Sequence, residues 1–412
     1  MYSKAHKEAE NFLKNETQFH LGMLPTEQSN PKTRGLDQIF AASYSRGVKT
    51  LLSVDEDVYS MAKKVLAGKE FKKLVTSGLK AVSEGKKIIF SGCGATGRLS
   101  ILLESMWRCF FRDLHKKYPV IYNKTKEIEN AVFSIMTGGD YALIRAVEFF
   151  EDYQEFGRQQ VRELNITSGD MLVAITEGGE TSSVLGTLSE AADRGAEVFL
   201  LFNNPASILC EYIERSRKAI QDPRVTVLDL FCGPMAIVGS TRMQATTSEQ
   251  LVAGAALEII LGKYFRRMLT PDELKALNIS DIDYADAFKS MLDELISAEN
   301  TEILGDYIKL EESIYRENGL ITYFGNGLLL DIFTDTAERT PTFMLPPFKK
   351  FDDTDSPPSW AFVKNPMLST DNAWGNLFGR PPRCLEWDST LYRKMGATAN
   401  IVANPPLLDT SQ

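Results

Sequence analysis

The feature that most constrains the fold of this chain is a series of five short apolar runs separated by segments of helical pattern. The runs are KKIIF (86–90), AVFSIM (131–136), MLVAIT (171–176), AEVFLLF (196–202) and VTVLDL (225–230). Helical patterns lie between them, for example at 97–112 and 183–194. Buried apolar strands that alternate with crossover helices predict a doubly wound parallel sheet, an α/β fold. Ligands of such sheets bind at the carboxyl ends of the strands, so the loops after the first, third and fifth runs are the expected site.

The remaining segments flank this core. The expected division is an N-terminal arm (1–45), a first domain (46–270), a helical connector (271–318) and a partial or degenerate second lobe (319–412). The arm contains a Pro- and Asn-rich stretch, and one or two amphipathic helices are expected between 46 and 83. The second lobe is inferred because 319–343 repeats the strand, glycine turn and helix pattern of the first domain.

The charge balance limits the partners. With 46 Lys and Arg against 55 Asp and Glu, the net charge is −9. This acidic balance argues against nucleic acid or an anionic membrane, and leaves small molecules and proteins. No apolar stretch is long enough to span a membrane, and the N-terminus has charges where a signal peptide is apolar, which predicts a cytoplasmic protein. The five cysteines form no C-x-x-C pair and the three histidines are far apart, so neither a metal site nor a cofactor is expected.

Loop 1 is SGCGATGRLS (91–100), with the pattern G-x-G-x-x-G at Gly92, Gly94 and Gly97. This pattern occurs in dinucleotide-binding turns, in cradles for other anions, and in tight strand-to-helix turns that bind nothing. A dinucleotide site also needs an Asp or Glu after the next strand; that strand is expected around 119–122, and no acid follows it. Thr96 supplies a hydroxyl inside the turn, which suits a single phosphate better than a pyrophosphate.

Loop 2 is ITEGGETSSVLGTL (175–188), which again leads from a strand into a helix. Gly178 and Gly179 permit the turn, while Thr181 and Ser182 place hydroxyls where they either cap the helix or bind a ligand. The two glutamates of this loop would repel an anion unless they are turned away. Because two such loops follow strands of one sheet, a shared anion site is favoured over capping alone.

Loop 3 lies in GPMAIVGSTRMQATTSEQLVAGAALE (233–258) and places Ser240 and Thr241 before a long helix. Arg242 is either a phosphate ligand or a member of a surface ion pair. Thr246 and Glu249 form a capping-box pattern, which predicts that the helix begins there.

Several stretches in register resemble a known family. They are TEQSNPKT (26–33), GCGATGR (92–98), TGGDYALIRAVEFFED (137–152), NNP (203–205) and GPMAIVGSTRM (233–243). They resemble the SIS (sugar isomerase) domain, in the branch that holds the N-acetylmuramic acid 6-phosphate etherases and the glucokinase regulatory protein, and are closer to the latter. The resemblance covers nearly all of the chain and implies a flavodoxin-like sheet.

The resemblance also implies a phosphosugar ligand held by the hydroxyl-rich loops. The ligand-binding residues would be Gly94, Ala95, Thr96, Gly97, Gly178, Gly179, Thr181, Ser182, Ser240 and Thr241. In the etherases two glutamates perform acid–base chemistry; one corresponds to Glu151, and the position of the other holds Met106. A thioether cannot exchange a proton at neutral pH, so the etherase pair is incomplete in this lobe. Glu104, two residues away on the same helix, is expected on another face.

The glucokinase regulatory protein also lacks this acid, begins its loop with G-C-G and carries a second SIS lobe. In the expected second lobe of this chain, Glu338 corresponds to the family's acidic residue. It is expected either to reach the first lobe's site or to be an exposed glutamate near a helix end.

Two functional hypotheses follow from the resemblance. The first is a non-catalytic phosphosugar-binding protein that regulates an unknown protein partner. The second is an etherase-like lyase or phosphosugar isomerase in which Glu151 works with Glu338. A nucleotide-dependent oxidoreductase is disfavoured. Because SIS domains pair, a homodimer or an internal pseudo-dimer is expected.

Overall fold

A computed structural model of the chain describes residues 3–16, 20–143, 147–240, 242–319, 321–324, 330, 361–364 and 368–406. Its main sheet contains β1 (Ile88–Gly92), β2 (Val132–Met136), β3 (Met171–Ile175), β4 (Glu197–Phe202) and β5 (Val225–Asp229). All neighbouring pairs are parallel, in the order β2-β1-β3-β4-β5. This is the flavodoxin-like order, in which the strand order reverses between β1 and β3. The predicted parallel α/β fold and its five strand positions are confirmed.

Helices precede, separate and follow these strands. Before the sheet lie α1 (Lys4–Asn15), α2 (Leu36–Ala42), α3 (Tyr44–Leu52), α4 (Asp55–Ala67) and α5 (Lys69–Ser83). Between strands lie α6 (Gly94–Lys117), α7 (Pro119–Thr125), α8 (Gln154–Glu163), α9 (Ser182–Asp193), α10 (Ala206–Tyr212) and α11 (Glu214–Ile220). After them come α12 (Gln244–Met268), α13 (Pro271–Ala276), α14 (Tyr284–Leu295) and α15 (Ala298–Arg316). No helix in the described ranges is long and apolar enough to cross a membrane.

The sheet is covered on both faces, because successive side chains of a strand point to opposite sides. Phe90, Val173 and Phe199 belong to one core, which includes side chains of α4, α5, α6 and α12. Ile89 and Leu172 belong to the other, which includes side chains of α9 and α10. Burial on both faces explains why the strands are nearly continuous apolar runs.

Two local predictions were wrong. The segment around 119–122, expected as a strand, is the start of α7, with Pro119 in the first turn. Proline is favoured there because the first helical N–H has no partner within the helix. The next strand along the chain is therefore β2. The region 46–83 is occupied by α4, α5 and most of α3 rather than by one or two helices.

The C-terminal residues pack against α6. A separate pair of parallel strands, β6 (Ile321–Phe324) and β7 (Ala361–Lys364), is followed by α16 (Thr370–Phe378), α17 (Ser389–Lys394) and α18 (Ala399–Ala403). Phe378 joins a small core with Ile101 and Leu102 of α6. The expected boundaries of the arm, the first domain, the connector and the second lobe remain predictions.

Candidate functional site

Loop 1 joins β1 to α6 beside the reversal of the strand order. A Cβ on Gly92 would lie 2.3 Å from the carbonyl carbon of Thr96, and Gly94 has a left-handed φ of 54°. The Cys93 N–H donates to Thr96 Oγ1 (3.0 Å), and the Thr96 hydroxyl donates to the Cys93 carbonyl oxygen (2.8 Å). The Thr96 hydroxyl is thus buried and engaged in closing the turn, and its role as a ligand stays a prediction.

Two further residues of loop 1 contribute through the backbone and through packing. Ala95 and Gly97 are buried in the first turn of α6. A Cβ on Gly97 would lie 2.9 Å from the Met136 side chain, so this glycine lets α6 approach β2 closely. The first-turn N–H groups of a helix have no carbonyl partner within it, which is the property that favours anions at this end.

Loop 2 joins β3 to α9 on the other side of the reversal. Gly179 has a φ of 79°, and a Cβ there would lie 2.5 Å from Leu209. Gly178 and Thr181 are half-buried. Thr181 makes no side-chain cap bond to α9; its Oγ1 instead lies 2.9 Å from Thr176 Oγ1. Helix capping therefore does not account for Thr181 in this structure.

Ser182 is half-buried and lines a cavity of about 600 Å³ between α8, α9 and α11. Two arginines also line it: Arg158 is paired with Glu190 (3.1 Å), and Arg215 is paired with Glu180. The cations near Ser182 are thus already compensated by carboxylates.

Glu151 lies between loop 1 and loop 2. Its side chain is exposed, with Oε2 3.7 Å from the Cys93 sulfur. Its carbonyl oxygen accepts the N–H of Ser183, in the first turn of α9, at 2.9 Å. The Ser183 hydroxyl in turn lies 2.8 Å from the hydroxyl of Thr137, the first residue after β2. The structure therefore brings Glu151 together with both loops at one edge of the sheet.

Loop 3 approaches this edge from the β5 side. Ser240 is buried, and its hydroxyl has no hydrogen-bond partner among the described residues. A Cβ on Gly239 would lie 4.0 Å from Glu27 Oε2, which places the arm against loop 3. Thr241 lies outside the described residues, and so does Glu338.

The capping-box prediction in loop 3 was wrong. Helix α12 begins at Gln244 after Met243, which makes no side-chain cap bond. Thr246 and Glu249 therefore lie inside the helix. Glu249 is fully buried, and its Oε1 accepts a hydrogen bond from Asn203 Nδ2 (3.0 Å). Glu249 is therefore placed by its burial beside the end of β4, and the capping-box pattern of the sequence plays no part in its position.

The two glutamates of loop 2 have different surroundings. Glu180 faces α11, where Arg215 donates to both its carbonyl and its carboxylate. Its charge is thus compensated. Glu177 is buried close to Glu249. Burial raises the pKa of Glu249 well above its ordinary value, Glu177 raises it further, and the hydrogen bond from Asn203 opposes both effects.

Sequence reasoning missed Glu27, which lies beside both loop 2 and loop 3. Burial raises the pKa of Glu27, and the charge of Glu180 raises it further. The arm is held by Asn204, whose Nδ2 donates to Thr26 Oγ1 and to the Gly178 carbonyl oxygen, both at 3.0 Å. The signal was available in the stretches TEQSNPKT and NNP, which were recognised as motifs but assigned no role.

Glu104 and Met106 lie on different faces of α6, as expected. Met106 is 55% exposed, whereas Glu104 is 1% exposed. Glu104 accepts hydrogen bonds from Arg108 Nε (2.8 Å) and from the hydroxyl of Ser134 (2.6 Å). Position 106 also lies twelve residues from the start of α6, or about 18 Å along its axis.

An acid does follow the next strand, β2, contrary to the prediction that none is available for a nucleotide's ribose. Asp140 comes four residues after β2 and is buried. Both of its carboxylate oxygens accept hydrogen bonds from Arg380, and Oδ2 also accepts from the backbone N–H of Arg383 (2.6 Å). The C-terminal arginines therefore occupy the carboxylate that a ribose would need.

These features define a doubly wound α/β protein whose candidate small-molecule site lies where its strand order reverses. Residues 70–192 match the family model described as the glucokinase regulatory protein N-terminal SIS domain. This range contains loop 1, Glu151 and loop 2. Over this range the chain is therefore similar to a SIS domain.

Two relatives that the chain resembles in sequence are N-acetylmuramic acid 6-phosphate etherases. N-acetylmuramic acid 6-phosphate etherase 1 of Bacillus licheniformis is 28% identical over 253 residues, which cover 61% of this chain and 73% of that protein. The N-acetylmuramic acid 6-phosphate etherase of Clostridium acetobutylicum is 29% identical over 258 residues, covering 61% and 74%.

Solved structures give a weaker likeness. A phosphoheptose isomerase from Francisella tularensis has a TM-score of 0.34 and 18% identity, covering 50% of this chain and 94% of its own. The tagatose-6-phosphate ketose/aldose isomerase of Escherichia coli has a TM-score of 0.40 and 11% identity, covering 73% and 64%. At these TM-scores the likeness adds nothing to the argument from the strand order.

Proposed function

We propose that the carboxyl edge of the sheet binds a sugar phosphate and that the protein regulates a partner rather than catalysing a reaction. The observation that carries the proposal is the convergence of loop 1, loop 2 and Glu151 where the strand order reverses. The family match to a regulatory SIS domain over 70–192 supports it. The etherases that the chain resembles act, by their name, on a phosphorylated sugar derivative.

The phosphate is assigned to the turn between β3 and α9. This turn offers the half-buried hydroxyls of Thr181 and Ser182 at the N-terminus of a twelve-residue helix. Helix N-termini favour anions through their unpaired N–H groups and the helix dipole. The ion pair of Glu180 with Arg215 keeps the nearest carboxylate from repelling the phosphate. The sugar would extend toward Glu151 and the backbone of loop 1, with the buried hydroxyl of Ser240 available from loop 3.

A regulatory output is favoured by the residue at position 106. Met106 cannot exchange a proton, so the etherase pair of carboxylates is not encoded on α6. The regulated partner would be a protein, recognised when the sugar phosphate is bound. Pairing of SIS domains, in a homodimer or within the chain, is part of this proposal and can be measured by light scattering.

A thermal-shift titration tests the binding. We expect N-acetylmuramic acid 6-phosphate or tagatose 6-phosphate to raise the unfolding temperature, whereas the unphosphorylated sugars do not. A ligand at one hundred times its Kd stabilises a protein by about 2.7 kcal/mol.

Thr181→Val should weaken the thermal-shift response to the sugar phosphate, because it removes a hydroxyl and keeps the side-chain volume. Thr76→Val, on the exposed side of α5, is the matched control and should leave the response unchanged. Equal shifts with sugars and sugar phosphates would contradict the assignment of a phosphate subsite.

The second candidate is an etherase-like lyase or phosphosugar isomerase that uses Glu151 with Glu338. It is favoured by the etherase relatives and by the position of Glu151 beside loop 1. The test is release of lactate from N-acetylmuramic acid 6-phosphate, or interconversion of aldose and ketose phosphates. Turnover that disappears in both Glu151→Gln and Glu338→Gln would establish the enzyme and overturn the binding-only proposal.

A further inference from the structure

The residue before Glu151 is held by an aromatic cluster that belongs partly to the C-terminal segment, defined as residues 378–403. Phe150 is fully buried and stacks on Trp387, with ring centroids 5.7 Å apart and an interplanar angle of 14°. Tyr392 meets the same ring edge-on at 6.2 Å. The Trp387 Nε1 donates to Glu163 Oε1 of α8 (2.6 Å). The hydrogen bond to α8 therefore orients the Trp387 ring, and Phe150 packs on the face of this ring.

The other end of the same loop is also held by the C-terminal segment. The Glu151 loop comprises residues 137–153, of which 137–143 and 147–153 are described. The Asp140 N–H donates to the Arg383 carbonyl oxygen (3.0 Å), and the Arg383 N–H donates back to the Asp140 carboxylate (2.6 Å). A Cβ on Gly139 would lie 3.0 Å from the Arg383 carbonyl oxygen. The C-terminal segment therefore holds the Glu151 loop at two points, at Asp140 and at Phe150.

Both contacts join parts of the chain more than 230 residues apart. The Arg383 to Asp140 bond spans 243 positions, and Trp387 lies 237 positions after Phe150. The position of Glu151 relative to Cys93 therefore depends on residues far outside the first domain expected from the sequence.

We infer that Trp387 and Tyr392 are positioning residues, which hold Glu151 against loop 1 by clamping Phe150. The C-terminal segment then determines the distance between Glu151 and Cys93 at the carboxyl edge of the sheet. A change that shifts Trp387 moves the carboxylate of Glu151 away from the Cys93 sulfur, from its present 3.7 Å. The meaning of this coupling for a ligand rests on the proposed function, but the positioning itself does not.

The rate at which Cys93 is alkylated by iodoacetamide reports this distance without any ligand. The thiolate is the reactive form, and a neighbouring carboxylate disfavours it. The full-length chain is treated between pH 6 and 9, and the five cysteines are followed separately by peptide mass spectrometry. We expect Glu151→Gln to raise the Cys93 rate about fivefold, the effect of one charge about 4 Å away in water. Trp387→Ala should give a similar increase, and Trp387→Phe should restore the rate of the unaltered protein.

The double variant separates positioning from general loosening. In the Glu151→Gln background, Trp387→Ala should have no further effect, since the charge that it displaces is already absent. An equal increase in both backgrounds, or no increase in either, would overturn the proposal. Phe288→Ala, which opens a comparable gap in the core around α14, is the matched control and should leave Cys93 unchanged.

Tyr392→Leu provides a second route if Trp387→Ala does not fold. It removes the edge-on contact to Phe150 and keeps the stacking of Trp387, so the increase in the Cys93 rate should be smaller but again absent from the Glu151→Gln background. A Tyr392→Leu protein with the Cys93 rate of the unaltered chain would count against the clamp. Failure to bind sugar phosphates in the thermal-shift titration, with the Cys93 results as expected, would reject the proposed function alone.

Discussion

Two buried glutamates have opposite electrostatic surroundings. The Glu104 cluster consists of Glu104, Arg108, Ser134, Arg380 and Arg383, and the Glu249 cluster consists of Glu249, Glu177, Asn203 and Ser248. Burial alone would raise the pKa of Glu104, but Arg380 and Arg383 outweigh it and lower this pKa to about 2. Burial raises the pKa of Glu249, and its neighbouring carboxyl, Glu177, adds to the increase. The pKa values of two equally buried carboxyls are therefore shifted in opposite directions.

The opposite pKa shifts indicate that the two clusters contribute differently to the protein. Glu104 is ionised and connects α6 to the C-terminal segment through a bidentate contact with Arg383 at 2.7 and 2.8 Å. Burial and the neighbouring Glu177 favour the protonated form of Glu249, whose carboxyl accepts a hydrogen bond from the Asn203 amide. The first cluster joins distant parts of the chain, and burial in the second disfavours negative charge beneath a site proposed to bind an anion.

The largest effect is expected from Glu104→Gln. The change leaves the half-buried guanidinium of Arg383 without its carboxylate and the buried guanidinium of Arg380 with Asp140 alone. Removing one partner of a buried ion pair costs about 3–5 kcal/mol. The free energy of unfolding, measured in urea at pH 7, should fall by that amount. The exposed Glu294→Gln is the control and should change it by less than about 0.5 kcal/mol. A loss below about 1 kcal/mol for Glu104→Gln would mean that the two arginines are well solvated.

A lower pH should reduce the difference in the free energy of unfolding between the unaltered chain and Glu104→Gln. The pKa of Glu104 is about 2 in the folded protein and 4.5 ordinarily, so its stabilisation is complete above pH 4.5 and is lost as the pH falls toward 2. The difference between these two pKa values corresponds to about 3 kcal/mol. Unfolding of the unaltered chain and of Glu104→Gln, compared from pH 7 to pH 3, should therefore converge. A gap that stays constant with pH would show that the cluster acts through packing rather than through charge.

Glu249→Gln should have the opposite pH dependence. Because the folded-state pKa is raised, the stabilisation is complete below pH 4.5 and is lost as the pH rises toward the folded value. Glutamine cannot ionise, so the variant should match the unaltered chain near pH 4 and become the more stable of the two at pH 8. Chemical denaturation at the two pH values measures this. A variant less stable at pH 8 than at pH 4, relative to the unaltered chain, would indicate an ionised Glu249.

Met106→Gln should have the smallest effect. The side chain is 55% exposed on the face of α6 opposite to the Glu104 cluster, and such surface changes stay within about 0.5 kcal/mol. Thermal unfolding of this variant, measured beside Glu104→Gln, compares two positions only two residues apart. A large loss at position 106 would mean that this face of α6 is covered in solution.

Much of the fold could be predicted because the relevant signals are local. Each strand of the main sheet is a continuous apolar run bounded by turn residues, and the left-handed φ of Gly94 and Gly179 favours glycine. The same turns located two of the candidate site's loops. Prediction failed where one local pattern fits both a strand and a helix. Residues 119–122 are apolar, which suggested a strand, but the segment begins with proline and starts a helix.

Long-range contacts could not be predicted in this way. The TEQSNPKT and NNP stretches were recognised as motifs, but only folding brings Thr26 to Asn204 across 178 positions. Glu249 matched a capping box, yet tertiary burial and the bond from Asn203 determine its environment. Sequence by itself thus determined the parallel sheet, its order of elements and the glycine turns, because propensity and periodicity act over a few residues. The tertiary structure alone decided which charges meet: it joins Glu104 and Asp140 to Arg380 and Arg383, since burial makes the pairing of distant charges necessary.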